Sequence, residues 1–478
     1  MAKPVISRRN LLETTAGVIA ASTGPLAKAF SFRTSNAVKP NVLLILTDQQ
    51  TARAMSCTGN RHVQTPALDR LASSGIRFER SYCTSPVCSP ARSSLITGRM
   101  PHETGVNHNT LPIKEDILNL GHLFRTAGYR TVWAGKWHLP RMFPHKFDPH
   151  LTQIPGFELM RFFDFSLPGW TEGKVTDPPL TDAVLGFLRH ERQEKPLLLV
   201  VSYHNPHDIC FVPFTPKRFP APEKGELPPL PSNHTVSESE PEFVQQRRKL
   251  NRYGHQVLLT QDWSDMQWRN YVHHYYRFVE QVDAEIGRLL SAVETEGLMQ
   301  KPLGLFTSDH GEGLAAHKWS SKLCFYEEAV AVPFILSWPG RVPEGKVDNQ
   351  HLVSGLDVVS TLCDYAGVSA PALARGASLR KIVEHPGADW RDFVALELAD
   401  DDKDQGRKGR AIVTARYKYA VYSRGARAEQ LFDLSRDPGE TANLADDASF
   451  RRVKEEHREK LKQWIRLTRD DFRLDPEA

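Results

Sequence analysis

The segment Asn41-Val42-Leu43-Leu44-Ile45-Leu46 is apolar almost without interruption and stops at Thr47-Asp48-Gln49-Gln50. A short apolar run with no polar alternation predicts a strand covered on both faces, as in a parallel sheet between helices. Similar runs recur at 131–134, 197–203, 303–307 and 332–337, separated by segments long enough for helices. Thr65-Pro66-Ala67-Leu68-Asp69 predicts a helix capped by Thr65, with Pro66 at its first position and an end near Gly75. Residues 268–296 carry Tyr271, Tyr275, Phe278 and Val282 at helical spacing, which predicts a long amphipathic helix whose aromatics belong to the core.

That alternation of strands and helices predicts an α/β fold, a large mixed, mostly parallel sheet sandwiched by helices. Past a helix at 355–367 the pattern changes. Short strands at 393–398 and 412–422, a turn at Asp437-Pro438-Gly439 and a charged amphipathic helix at 450–466 predict a smaller C-terminal α+β subdomain over 368–478. It would hold a small sheet of the four-stranded type. The main unit, 38–367, contains a loop-rich insertion at 208–262 with Pro220, Pro222, Pro228, Pro229 and Pro231. A loop that long is a substrate-covering lid or a solvated insertion.

Four of the predicted strands deliver polar groups at their ends: Asp48 after the first, Lys136 and His138 after the second, His207 after the third, Asp309 and His310 after the fourth. Open α/β sheets place ligands outside the carboxyl ends of their strands, so these residues are expected to converge on one crevice. Asp48, Gln49, Asp309 and His310 would offer two carboxylates, a carbonyl and an imidazole. That hard ligand set suits a divalent cation, Ca²⁺ first, with Mn²⁺ or Mg²⁺ as alternatives.

Composition narrows the partners. The chain has 61 basic and 57 acidic residues, a formal net charge of +4, which gives no footprint for nucleic acid. Residues 1–29 carry Ser7-Arg8-Arg9-Asn10, a mostly apolar 16–21 stretch and Ala27-Lys28-Ala29, the pattern of a cleaved export signal of the twin-arginine type. No later run reaches the ~18 apolar residues that span a bilayer. The expectation is therefore an exported protein, periplasmic or secreted, that uses the twin-arginine export machinery. The six cysteines are widely spaced, and most are expected to be buried thiols.

Cys88 is the exception. In Cys88-Ser89-Pro90-Ala91-Arg92-Ser93-Ser94-Leu95-Ile96-Thr97-Gly98-Arg99 a thiol precedes an arginine by four residues at a predicted helix start, where backbone N–H groups favour an anion. This segment resembles the signature of the type I, formylglycine-dependent sulfatases of the alkaline phosphatase superfamily. The resemblance extends in order through Leu46-Thr47-Asp48-Gln49, Gly135-Lys136-Trp137-His138, Asn205-Pro206-His207, Ser308-Asp309-His310-Gly311, and Lys322 before Tyr326-Glu327. It implies an alkaline phosphatase-like fold, a catalytic domain over 38–367, and conversion of Cys88 to formylglycine by a formylglycine-generating enzyme.

The resemblance also implies roles. Residue 88, Asp48, Gln49, Asp309 and His310 would hold the metal. Asp309 would be the base on the aldehyde hydrate, and Arg92 would hold hydrate and metal. Lys136 would neutralise charge near the nucleophile, and His138 would deprotonate the remaining hydroxyl to eliminate sulfate. His207 and Lys322 would bind sulfate oxygens and protonate the leaving alkoxide. Gln49 stands where many members carry a second aspartate, an arrangement shared with choline sulfatases and phosphonate monoester hydrolases. His317 and Lys318 lie close enough to Lys322 to share its role. The leading reading is a sulfatase acting on a carbohydrate sulfate ester. The alternatives are a phosphonate monoester or phosphodiester hydrolase, a choline-sulfatase-like enzyme, or an inactive sulfated-glycan binding protein.

Overall fold

The computed structural model describes residues 39–109, 111–114, 116–139, 153–160, 173–191, 194–223, 226–249, 256–399 and 407–475. The expected export signal at 1–29 lies outside them. The main sheet has nine strands: β1 (Val42–Asp48), β2 (Ile76–Phe78), β4 (Arg130–Gly135), β5 (Gln153–Ile154), β6 (Phe157–Met160), β7 (Leu197–Pro206), β8 (Leu303–Ser308), β9 (Phe334–Ser337) and β10 (Lys346–Asp348). Between them, β3 (Ser81–Tyr82) pairs in parallel with β11 (Val353–Ser354). The spatial order is β10-β2-β9-β8-β1-β7-β4-β6-β5. Strands β8, β1, β7, β4 and β6 run parallel, whereas β9 is antiparallel to both β8 and β2.

Strand alternation divides the core into two layers. Val42, Leu44 and Leu46 of β1 face one apolar cluster with Leu95, Ile96, Phe124 and Val358. Leu43 and Ile45 face the other, with Leu180, Val184, Val282 and Ile286. The central strands, β1 and β7 above all, are thus covered on both sides, which explains their uninterrupted apolar runs. The long helix spans Asp265–Thr295, and its N-terminus is closed by Ser264 and Gln267 in a reciprocal capping box.

At the helix Pro66–Ser73, Thr65 makes no side-chain cap bond. The carboxylate of Asp283 takes its place from the long helix and accepts from the N–H groups of Ala67 (3.0 Å) and Leu68 (2.9 Å). The orphan donors of a helix start need an acceptor, which here comes from tertiary structure.

A second sheet, β12-β13-β14-β15, is antiparallel throughout and comprises Phe393–Ala399, Lys408–Thr414, Tyr417–Tyr422 and Glu429–Asp433. The apolar stretch read as one strand at 412–422 is two, because the chain reverses at Ala415-Arg416 and pairs Val413 with Lys418. One face of this sheet packs on Tyr82, Phe325 and Tyr326 of the main unit. Its other face packs on Leu461 of the terminal helix Arg451–Thr468. Part of the insertion is packed: Phe243, Val244 and Arg247 of the helix Glu242–Arg248 are buried. No helix among the described residues is long and apolar enough to cross a membrane.

Candidate active site

The sheet order explains the convergence. Because β8, β1, β7 and β4 are neighbours with parallel register, their carboxyl ends lie side by side: Asp48 pairs with Pro206, and Thr47 with Ser308. Asp48 ends β1, Asp309 and His310 follow β8, His207 follows β7, and Lys136 follows β4. Gly135 has φ 94°, and a Cβ there would lie 2.0 Å from the Ser202 carbonyl oxygen. Glycine therefore lets β4 close against β7 before the chain turns out to present Lys136 and His138.

Cys88 opens the helix Cys88–Thr97, all ten residues of which are buried. Gly98 ends that helix in the left-handed region at φ 68°. The expected anion-favouring backbone is partly committed already, since the Ser89 N–H donates to Asn109 Oδ1 (2.9 Å). What faces the sulfur is a set of side chains. Lys322 Nζ lies 3.1 Å from Cys88 Sγ, His310 Nε2 3.2 Å and Asp48 Oδ1 3.9 Å, and the His138 ring also bonds the sulfur. The sulfur stands in for the oxygen that an aldehyde or its hydrate would carry. Burial pushes the thiol up, but Lys322, Lys136 and His310 outweigh it and hold Cys88 well below the usual thiol range.

Arg92, 1% exposed, braces the floor of the site. Its Nε donates to Asp309 Oδ2 (2.8 Å), its Nη2 to Asp48 Oδ2 (2.8 Å), and its Nη1 to the Lys136 carbonyl and Ser202 Oγ (both 2.9 Å). Lys136 Nζ adds a second cation 2.7 Å from Asp48 Oδ2. Burial raises both carboxyls, yet the cations Lys136, Arg92 and Lys322 together hold Asp48 well below the carboxylate range. Asp309 is pushed up to about 6 by burial and by the neighbouring Asp48 charge.

Gln49 adopts φ 70° and His138 φ 54°, and Lys322 is flanked by Ser321 (φ 78°) and Leu323 (φ 72°). Left-handed backbone at side-chain-bearing residues costs ~1–3 kcal/mol each and gathers at functional sites. Lys322 Nζ donates to Gln49 Oε1 at 2.8 Å as well as reaching the sulfur. His317 and Lys318 do not share that position: the His317 ring stacks on Tyr326 at 3.7 Å, and Lys318 is exposed.

Several residues of the site escaped the sequence reading. His204 is one: it stacks edge to face at 4.9 Å on the expected His207, and both feel Lys136 and Asp48. Burial and then Lys136 push His204 down to about 3 and His207 well below the usual imidazole value, so both are neutral. His204 Nε2 and His207 Nδ1 are buried without a hydrogen-bond partner. Tyr275 and Tyr271, read as core aromatics, use their hydroxyls here: Tyr275 donates to the Gln49 carbonyl (2.8 Å), and Tyr271 to Glu312 (2.6 Å). The signal for Glu312 was its place two residues beyond His310.

Asp48, Cys88, Asp309 and His310 bring ligand-type atoms within 4.8 Å of one another. His310 Nδ1 lies 2.8 Å from the Gly311 carbonyl, which can only accept. Nδ1 therefore carries a proton, which leaves Nε2 as the nitrogen turned toward the cluster, the orientation a metal ligand requires. Asp48 Oδ1, clear of the two cations on Oδ2, and the Gln49 side-chain oxygen Oε1 complete a donor set that fits a divalent cation.

Residues 40–368 match the Sulfatase family, and residues 315–466 match the family described as N-sulphoglucosamine sulphohydrolase, C-terminal. A Δ4,5-hexuronate-2-O-sulfatase of Bacteroides thetaiotaomicron is 30% identical over 461 residues, 91% of this chain and 90% of that protein. An N-acetylglucosamine-6-O-sulfatase of the same organism is 26% identical, covering 91% of this chain and 87% of that protein. The structure of a 2-O GAG sulfatase superimposes with a TM-score of 0.79 at 27% identity, covering 92% of this chain and 95% of that one. A phosphonate monoester hydrolase of Agrobacterium radiobacter superimposes with a TM-score of 0.74 at 25% identity, covering 90% and 96%.

Proposed function

Because the chain belongs to the sulfatase family of the alkaline phosphatase superfamily and is a sulfuric ester hydrolase, we propose that it removes sulfate from a sugar, using formylglycine made from Cys88 and one divalent cation, Ca²⁺ first. The observation that carries this reading is the setting of the Cys88 sulfur, ringed by His310, Lys322, His138 and Asp48. Curated relatives named for hexuronate and N-acetylglucosamine sulfates support a carbohydrate ester.

A hydrated aldehyde at residue 88 supplies an oxygen nucleophile together with a second hydroxyl that can later expel the bound sulfate. A thiol has no such second group. The cation, held by Asp48, Gln49, Asp309, His310 and residue 88, would supply positive charge beside the nucleophile and the sulfate oxygens. Asp309, raised toward neutrality, accepts the proton of the attacking hydroxyl, and Arg92 holds both carboxylates in place. Lys136 neutralises Asp48, while His138, bonded to the residue 88 side chain, takes the proton of the second hydroxyl. Lys322 Nζ, 3.1 Å from that side chain, binds a sulfate oxygen and protonates the departing alkoxide, while the neutral His207 donates its ring N–H to the sulfate.

Gln49 and the phosphonate hydrolase likeness support a second reading, in which aryl phosphonates turn over faster than aryl sulfates. Peptide mass spectrometry on protein made alongside a formylglycine-generating enzyme tests the chemistry. The expected Cys88 peptide has lost its sulfur, and one that keeps it in every molecule sinks the formylglycine reading. Comparing kcat/KM for an aryl sulfate and an aryl phosphonate decides between the esters. The proposal includes an exported enzyme, because modification before twin-arginine transport suits a route that carries folded proteins; its support is the charge and apolar pattern of residues 1–29.

A further inference from the structure

Gln49 sits between two charged groups of opposite sign. On one side Lys322 Nζ lies 2.8 Å from Gln49 Oε1, and on the other Gln49 Nε2 donates to Glu312 Oε2 at 2.6 Å. Glu312 is fully buried. Every group facing its carboxyl is a donor: Tyr271 Oη (2.6 Å) and the Ser321 N–H (2.5 Å) on Oε1, with the Leu314 N–H at 3.4 Å. Both of its oxygens accept from these donors and from Gln49, the hydrogen-bond pattern of a carboxylate. Flipping the Gln49 amide would set its oxygen against that carboxylate and its NH₂ against the Lys322 ammonium. Both contacts would turn repulsive, so the amide orientation is fixed by charge on two sides.

We propose that Glu312 is a positioning residue that supplies, one bond removed, the negative charge that an aspartate at position 49 would bring directly. It acts through Gln49, locking the carbonyl toward the cation-binding cluster and polarising the amide so that Oε1 becomes a stronger donor. Tyr271 and Ser321 hold Glu312 in turn, which ties the amide to the long helix and to the loop that presents Lys322. Groups that orient a ligand in this way typically change cation affinity ~10–100-fold when removed.

This inference rests on the proposed divalent site, and direct cation binding separates the two. Ca²⁺ binding to chelator-stripped protein is measured by calorimetry, alongside the melting temperature without cation, for wild type, Glu312→Gln, Gln49→Glu and the double variant Gln49→Glu/Glu312→Gln. The expected result for Glu312→Gln is Ca²⁺ binding weakened ~10–100-fold. Gln49→Glu sets two carboxylates at hydrogen-bond distance and lowers the cation-free melting temperature. The double variant moves the negative charge to position 49, recovers binding to within about three-fold of wild type, and restores the melting temperature. Wild-type binding with an unchanged Glu312→Gln overturns the inference alone, as does a double variant no better than the worse single. Wild type that binds no divalent cation overturns the metal reading and this inference with it. Should Glu312→Gln fail to fold, recovery in the double variant still decides, because a purely structural glutamate would not be replaced by one at position 49.

Discussion

Of the three side-chain clusters that meet the same geometric description among the described residues, two are rich in ion pairs, and they differ in how far their polar atoms are satisfied. At the end of the main sheet, Asp48, Asp309, Arg92, Lys136 and His310 surround Cys88. Beside the second sheet, His102, Glu397 and Asp470 also bring ligand-type atoms within 4.8 Å, next to the Arg410 guanidinium. There His102 Nδ1 meets Glu397 Oε1 at 2.5 Å and Nε2 meets the Thr468 carbonyl at 3.1 Å, while Arg410 Nε holds Asp470 at 2.5 Å. Both imidazole nitrogens face acceptors, so no lone pair is left for a ligand. Around Cys88, by contrast, His204 Nε2 and His207 Nδ1 have no acceptor or donor among the described residues to satisfy them, and His310 Nε2 has only the sulfur as a hydrogen-bond partner. Buried polar groups are normally paired, and an exception at one end of a sheet marks where a ligand belongs. The closed cluster ties the turn after the signature helix to the C-terminal tail, and it is structural.

The largest expected effect separates the clusters at once. Cys88→Ala should lower aryl sulfate turnover by at least ~10⁴-fold, because the nucleophile is gone. Its melting temperature should stay near that of wild type, which thermal unfolding checks. Loss of activity through unfolding would break the contrast. Arg410→Met is the converse. It leaves Glu397 and Asp470 buried without their cation and should cost about 3–5 kcal/mol by denaturant titration, with kcat per folded molecule unchanged.

His207→Ala sharpens the meaning of an unsatisfied nitrogen. Removing it should reduce kcat/KM ~10²–10⁴-fold while stability holds or rises, since an unpartnered buried polar atom is lost. A marked fall in stability would mean that the atom has a structural partner.

The smallest effect is a pH dependence. Burial lowers the His102 pKa, but its bonds to Glu397 and the nearby Asp470 outweigh this and raise it above 6.5. A raised histidine contributes stability fully below the unfolded pKa and loses it as pH climbs through the folded one. Stability should therefore decline on the alkaline side of 6.5 by about 1.5–3 kcal/mol, the worth of a hydrogen bond to a charged group. In His102→Asn that part of the slope should vanish; a slope unchanged by the substitution would count against a charged His102.

The central strands were legible because they are buried on both faces, and such burial leaves a mark in every residue of the run. Val42 to Leu46 needed no tertiary information. The 412–422 stretch was harder, since a tight reversal at Ala415-Arg416 carries neither glycine nor proline to announce it. Thr65 looked like a helix cap and was displaced by Asp283, more than two hundred residues away. His317 and Lys318 were indistinguishable from Lys322 in sequence, and only the left-handed turns of that loop decide which one reaches the sulfur.

Sequence alone determined the ingredients: a parallel sheet from apolar runs, polar groups at its strand ends, and a cysteine and arginine one helical turn apart. Local patterns carry such information because burial and helix geometry act on neighbours in the chain. Tertiary structure decided which of those groups remain unsatisfied. The register of β8, β1, β7 and β4 sets Asp48 between Arg92 and Lys136 and turns His310 Nε2 inward. It also places Glu312 behind Gln49, a contact across 263 residues of chain that fixes which end of an amide faces the site. Charge and hydrogen-bond satisfaction depend on distances in space, and those exist only once the strands have paired.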